Sequence, residues 1–522
     1  MGMLKMNRSR FLYFLVSSFL CIPASLLAEV YLPSLFGDHM VLQREQGNPV
    51  WGKAGAGEAI SVMIGEQRHS TEADSSGDWR VILQPLPAGG PYQLKVQGTN
   101  TIIFEDVMVG EVWLCSGQSN MQWPVERSAH AEVEIASANH PQIRLITVPI
   151  ISAREPKYDF EGRWEKCSPE TVPGFSAVGY FFGRRLHNSL DVPVGLIDNA
   201  WGGSAAEAWV SPMTLREAGG YEQLLSSWRK KVAEYSDEKH AERLAAYEAW
   251  KAGGREGERM RYPRDPRYWN QRPGNAYFGM LCPVAGYGMR GVIWYQGESN
   301  ASRAEQYKDL FPLLIRSWRK EWGQGAFPFY WVQLADFGKE ANGPVADSDW
   351  AELREAQTQT LSLPNTGQAV IIDAGEGRDI HPRDKQTVAN RLVRHALVND
   401  HGYEMAAQSP RVNSVRFSDG IATVTFDFID EGLYAFDTRQ VRGFTLAGEG
   451  GEFFEAAARI IDVDTVEVFS EEVETPTAVR YGWADNPVVN LYDRNGLPVT
   501  PFRKEREEIG RASCRERVYT KV

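Results

Sequence analysis

From about residue 109 to 400 the chain alternates short apolar runs with longer amphipathic stretches, and few folds satisfy that alternation. The runs are Glu111–Cys115, Ile143–Val148, Val194–Ile197, Val292–Tyr295, Phe329–Gln333 and Ala369–Asp373. Most are apolar throughout rather than at every second position, which suits strands covered on both faces. Phe175–Leu190 places Val178, Phe181, Phe182 and Leu186 at three-to-four spacing, the period of a helix with one buried side. Arg303–Trp322, Trp350–Leu361 and Arg383–Val398 read as helices too. Parallel neighbours need long crossovers, and helices between short strands supply them. The predicted class is α/β, a parallel sheet flanked by helices.

Accessory antiparallel β units are expected at both ends. Residues 29–108 carry strand signals such as Ile60–Ile64, Trp79–Leu83 and Tyr92–Val96, broken by Gly55-Ala-Gly57 and Pro87–Pro91. This spacing predicts a small β-sandwich-like domain. Residues 401–505 return to β character in Ile421–Phe426, Arg442–Leu446 and Thr465–Phe469, either completing the first unit or standing alone. Residues 213–272 intermix acids and bases and read as a charged helical insertion into the 109–400 unit.

Residues 1–28 have the pattern of a secretory signal: Lys5, Arg8 and Arg10, then the apolar run Phe11–Ile22, then a cleavage site after Ala28. The run is short for a membrane span, and no other stretch reaches about 18 apolar residues, so an exported protein, periplasmic or extracellular, is expected. An uncleaved N-terminal anchor is the alternative. Residues 509–522 are basic and lack apolar periodicity. They resemble a translated sequencing-adapter oligonucleotide and are expected to be an artefact.

The whole chain carries a net charge of −12, and its two ends together carry +6, so the 480 residues between them carry −18. An acidic chain is a poor general nucleic-acid binder. Five cysteines in 522 residues exclude a disulfide scaffold and leave open any pairing of Cys115, Cys167 and Cys282. Sixteen Trp suit either a core or a sugar-stacking surface.

Four segments that follow strand candidates hold the chemistry, because ligands of open α/β sheets sit beyond the carboxyl ends of strands. Ser116-Gly-Gln-Ser-Asn-Met121 presents Ser119 just past a glycine turn, where a hydroxyl can attack an acyl carbon. Asn199-Ala-Trp-Gly-Gly-Ser204 offers the N–H of Gly202 or Gly203 to an oxyanion. Trp294-Tyr-Gln-Gly-Glu-Ser-Asn300 offers the Gln296 amide to the same charge and Glu298 as an orienting carboxylate. Asp379-Ile-His-Pro382 carries an imidazole to take the serine proton and an acid to hold its tautomer. Each has a plain structural alternative: a turn, a loop pair, or a surface histidine among nine.

Taken together, in this order, the segments resemble the SGNH-type serine esterases, and within them the sialate O-acetylesterase family. The resemblance covers nearly all of 30–505 and includes Leu35–Gln43, Val109–Met121, Arg290–Ala301 and Ile380–Gln386. It implies an SGNH-hydrolase-like sheet over 109–400 and a hydrolase that removes O-acetyl groups from sugars without a cofactor or metal. By motif, Ser119 is the nucleophile, His381 the base and Asp379 the acid. The oxyanion donors would be the Ser119 N–H, a Gly202 or Gly203 N–H and the Gln296 amide, with Glu298 and Asn120 in support. Asp379 stands two residues before His381, whereas many SGNH enzymes place the acid three before, where this chain has Arg378. Asp373 and Glu376 are reserve acids. The sugar is sialic acid or a plant-type glycan such as acetylxylan. A lipase or thioesterase on the same scaffold and a non-catalytic carbohydrate-binding protein are the rival readings. No His-Glu-x-x-His or paired Cys motif favours a metallohydrolase.

Overall fold

The computed structural model describes residues 29–341 and 343–506, so the expected signal at 1–28 and the basic tail at 509–522 lie outside the described residues. Seven strands open the fold: β1 Val41–Gln43, β2 Asn48–Lys53, β3 Ala59–Ile64, β4 Gln67–Glu72, β5 Asp78–Leu83, β6 Gly89–Gln97 and β7 Thr101–Gly117. β2 pairs antiparallel with β5, while β4, β3, β6 and the first half of β7 form a second antiparallel sheet. β3 and β5 alternate buried and exposed side chains, as one-sided strands must.

β7 does not stop at residue 108. Its second half, buried on every residue from Val107, becomes the middle strand of the next unit. There it pairs in parallel with β10 (Val194–Ala200) on one side and β11 (Gly291–Tyr295) on the other. β8 (His140–Thr147), β12 (Phe329–Val332) and β14 (Thr366–Ala369) complete a parallel order β14-β12-β11-β7-β10-β8, with β9 (Glu165–Cys167) antiparallel at one edge. The short β13 is Glu340–Ala341. The helices are α1 Ser119–Gln122, α2 Ala131–Ala136, α3 Ala177–Leu190, α4 Pro212–Ala218, α5 Glu222–Ala233, α6 Asp237–Ala252, α7 Ala304–Trp322, α8 Asp349–Gln359 and α9 Lys385–His401. The architecture is an α/β sheet flanked by helices, with accessory antiparallel β units. Trp113, Trp164, Trp209, Trp294, Trp318 and Trp331 are fully buried, so these indoles are core residues.

Two sequence expectations shift. The last apolar run was read as a strand over Ala369–Asp373, but β14 ends at Ala369. Its partner β12 ends at Val332, opposite Ala369, so no ladder continues. The Val370 carbonyl instead accepts from Arg391 at 2.8 Å. The 213–272 stretch is helical only to Ala252; Gly253-Gly254, Pro263 and Pro266 break the remainder into loop.

Residues 411–505 form two four-stranded antiparallel sheets around a separate core that includes Val424, Phe444, Leu446, Val466 and Tyr481. β13 pairs with Asn486–Pro487, tying this unit to the parallel sheet. Arg354 of α8 makes the firmer link. It is fully buried and donates to the carbonyls of Leu334, Ala335, Ala484 and Asp485 at 2.8, 2.7, 2.7 and 2.9 Å. Arg354→Met leaves those carbonyls without donors and is expected to cost about 3–5 kcal/mol. A urea unfolding midpoint equal to that of the unaltered protein would contradict this role. Among the described residues, no helix is long and apolar enough to cross a membrane.

Candidate active site

The parallel register aligns Gly117 of β7 with Ala200 of β10 and Tyr295 of β11. Three of the four segments therefore leave the sheet side by side at its carboxyl edge. Gly117 has φ +139°, and a Cβ there would lie 2.2 Å from the Tyr295 carbonyl oxygen, so only glycine lets the strand turn sharply into α1. The segments are then laced together. Trp201 N–H donates to Gly117 O at 3.1 Å and Gln118 N–H to Tyr295 O at 2.9 Å. Gln118 Oε1 accepts from Ser299 N–H at 3.2 Å.

The fourth segment arrives from the loop between β14 and α9. His381 Nε2 lies 2.9 Å from Ser119 Oγ, and His381 Nδ1 lies 3.2 Å from Asp379 Oδ1. The tautomer with Nδ1 protonated satisfies both contacts: the ring donates to Asp379 and accepts the Ser119 hydroxyl proton. Asp379 Oδ1 also accepts His381 backbone N–H at 2.9 Å. This two-residue Asx geometry explains how an acid two positions before the histidine reaches its ring. The reserve acids are placed elsewhere. Asp373 is held by Arg391 at 2.5 and 2.8 Å and by Tyr492 at 3.1 Å. Glu376 accepts the Arg383 N–H at 2.8 Å.

Trp123 stacks on the imidazole, with ring centroids 4.9 Å apart and planes within 15°. The Arg127 guanidinium lies over the same indole, 4.0 Å from its ring centroid. Burial lowers the His381 pKa below its ordinary value, outweighing the opposing pull of Asp379; Lys385 and Arg127 push the same way as burial. Asp379 is held low, chiefly by the His381 backbone N–H. Its side chain is 55% exposed, so its charge is well screened.

Two of the expected oxyanion donors are engaged in other bonds. Gln296 is fully buried; its Nε2 donates to Asn300 Oδ1 at 2.7 Å and Ser204 O at 3.3 Å, and its Oε1 accepts from Tyr307 at 3.0 Å. Of these Nε2 bonds, the one to Ser204 ties neighbouring loops together. Gly202 N–H donates to Gln122 Oε1 at 2.9 Å. The Ser119 and Gly203 N–H groups, by contrast, have no acceptor among the described residues. Gly203 has φ +69°, and a Cβ there would lie 2.9 Å from Asn270 Nδ2. The side-chain amide beside Gly203 is therefore that of Asn270, which also donates to Gly202 O at 2.6 Å.

Asn120 braces the serine and histidine loops. Its Nδ2 donates to Glu298 Oε1 at 2.6 Å and to the Ile380 carbonyl at 3.0 Å, while its Oδ1 accepts from Lys385 Nζ at 2.6 Å. Burial pushes Lys385 down to about 7 and Glu298 upward. Sequence reasoning assigned no role to Trp123, Gln122, Asn270 or Lys385. Lys385 stands in the Ile380–Gln386 segment, but nothing in one sequence shows that its Nζ turns inward. Asn270 sits among loop residues with no local signal. Among the described residues, no group of three His, Cys, Asp or Glu side chains is placed to hold a metal ion. Cys115, Cys167 and Cys282 are free thiols.

A family model described as "Carbohydrate esterase, sialic acid-specific acetylesterase" matches residues 109–244 and 268–388. The chain is 31% identical over 526 residues to a mouse sialate O-acetylesterase, covering 90% of this chain and 93% of that one. It is 32% identical over 400 residues to the human sialate O-acetylesterase, covering 69% of each. A crystal structure of a carbohydrate acetylesterase from Xanthomonas citri matches with a TM-score of 0.78 and 38% identity, over 91% of this chain and 100% of that one. On sequence and fold alike, the chain belongs to the sialic acid-specific acetylesterase family of carbohydrate esterases.

Proposed function

We propose that the protein hydrolyses O-acetyl esters on sugars through an acetyl-enzyme on Ser119, with O-acetylated sialic acid as the first substrate and acetylated plant glycans as the alternative. The 2.9 Å contact between Ser119 Oγ and His381 Nε2 at the carboxyl edge of the sheet carries this reading. His381 takes the hydroxyl proton as Oγ attacks the acetyl carbonyl. The oxyanion meets the Ser119 and Gly203 N–H groups, with the remaining Asn270 Nδ2 hydrogen beside Gly203. The C–O bond to the sugar breaks, and the leaving alkoxide takes the proton from His381. Water, deprotonated by the same imidazole, then releases acetate and restores Ser119. Asp379 keeps the ring in the tautomer that accepts at Nε2. Export through the 1–28 segment belongs to the same proposal.

The test is acetate release from O-acetylated sialic acid, acetylated xylan and 4-nitrophenyl acetate, with Ser119→Ala alongside. Equal rates for both proteins on every ester would sink it. The pH profile adds a second check. The base works only when neutral, so kcat/KM should fall on the acid side through the His381 pKa, which lies below the ordinary value of about 6.5. Asp379 raises that pKa, so Asp379→Asn should move the acid limb to still lower pH. A limb that moves upward would remove Asp379 from the ring.

A further inference from the structure

Lys385 opens α9, four residues after His381, and its side chain is fully buried. Lysine is almost never fully buried, because burial strips water from the ammonium. Here the Nζ donates to Asn120 Oδ1 at 2.6 Å, and Asn120 directly follows Ser119. The same Nζ lies 5.3 Å from the ring centroid of Tyr295 and 5.7 Å from that of Trp123. Tyr295 ends β11, and Trp123 is the indole that stacks on His381. One ammonium is thus shared by the serine turn, the carboxyl edge of the sheet and the aromatic wall of the histidine. Its link to Glu298 is indirect, since Asn120 Nδ2 donates to Glu298 Oε1 at 2.6 Å.

The carboxylates that act on the ammonium come from three places. Glu298 follows β11, Glu376 and Asp379 stand on the loop before α9, and Asp384 caps that helix. Burial brings the Lys385 pKa down to about 7 against the pull of all four. At the His381 ring, burial lowers the pKa, Asp379 opposes it, and the Lys385 and Arg127 charges add to it. The ring therefore titrates below about 6.5, where Lys385 still carries its proton.

We propose that Lys385 is a positioning residue for the reaction: its ammonium, held on the residue next to Ser119, supplies a fixed positive charge that keeps the His381 imidazole in its neutral, proton-accepting form. The inference rests on the proton transfer from Ser119 to His381 and deepens it. Asp379 orients the ring but also favours its protonation, which would block the base on the acid side. A like charge nearby opposes that protonation, and Lys385, buried from solvent, is poorly screened by salt. The same charge makes the imidazolium a stronger acid toward the departing sugar alkoxide. Because Asn120 also donates to the Ile380 carbonyl at 3.0 Å, one residue fixes both the cation and the histidine loop.

The test follows the ring and the rate separately. Lys385→Met removes the charge and keeps an unbranched chain, while Lys385→Arg keeps the charge. The His381 ring is titrated by NMR, with His381→Ala assigning its signals, and the acid limb of kcat/KM is measured on 4-nitrophenyl acetate. In Lys385→Met both should move to higher pH, the opposite sense to Asp379→Asn. At about pH 5 this variant should keep a share of its plateau rate about threefold smaller than the unaltered protein keeps. In Lys385→Arg both should stay in place. A ring titration in Lys385→Met equal to that of the unaltered protein would overturn the assignment. So would an equal move in Lys385→Arg, which would trace the effect to packing and not to charge. If Lys385→Met alone does not fold, Lys385→Met/Glu298→Gln buries neither charge and carries the same test. There the lost Glu298 charge pulls the ring the other way, so an upward move isolates Lys385. The NMR titration needs no turnover, so it stands apart from the esterase reading, which fails instead if Ser119→Ala releases acetate as fast as the unaltered protein.

Discussion

Ser119→Ala should lower kcat/KM for acetate release by about 10⁴-fold or more, because it removes the hydroxyl 2.9 Å from His381 Nε2 that the proposed mechanism uses as nucleophile. That factor corresponds to about 5.5 kcal/mol of lost transition-state stabilisation. His381→Ala should cost a similar factor, and the double variant should be little worse than either single one, since the two act as a unit. The residual rate would come from binding and from the Ser119 and Gly203 N–H groups, which the substitutions leave in place. Single-turnover measurement on a chromogenic acetate ester checks this. Losses that multiply in the double variant would mean that serine and histidine act independently, contrary to the proposed proton transfer.

Asn120→Ala should be the most damaging change outside the reacting groups. It strips the acceptor from the buried Lys385 ammonium, the donor from Glu298 and the donor from the Ile380 carbonyl, one residue before His381. Leaving buried charged groups unpaired is expected to cost about 2–5 kcal/mol of stability. Loosening the tie between the serine and histidine loops should lower kcat about 10²-fold with a smaller change in KM, because alignment and not sugar binding is lost. Lys385→Met in the same background removes the stranded cation, so the double variant should recover part of the stability while kcat stays low. Urea unfolding and steady-state kinetics read the two effects. A loss of stability without a fall in kcat would make Asn120 a purely structural brace.

The alternation of apolar runs and amphipathic helices was enough to read a parallel sheet over 109–400, because both signals are local: burial on two faces and a period of three to four residues. The strand that was placed too late, Ala369–Asp373, shows the limit. Val370, Ile371 and Ile372 are as buried as strand residues, yet they have no ladder, since β12 ends beside Ala369. Hydropathy reports burial and not pairing.

The same division runs through the site. From its residues alone, the chain determined that Ser119, the Gly202-Gly203 turn, Gln296-Gly-Glu298 and His381 each follow a strand, because a glycine or polar turn after an apolar run is a local pattern. Their meeting depends on Gly117, Ala200 and Tyr295 falling in one row of the sheet. Only the tertiary structure decided which polar groups are engaged elsewhere: the Gly202 N–H on Gln122, the Gln296 amide on Asn300 and Ser204, Asp373 on Arg391 and Glu376 on the Arg383 N–H, while Asp379 lies against His381. Two of those choices depend on hydrogen-bond partners 80 and 92 residues away, as when Gln122 takes the Gly202 N–H and the Ser204 carbonyl takes the Gln296 amide. A donor's neighbours in sequence do not reveal which acceptor is nearest in space, and burial makes every such bond obligatory.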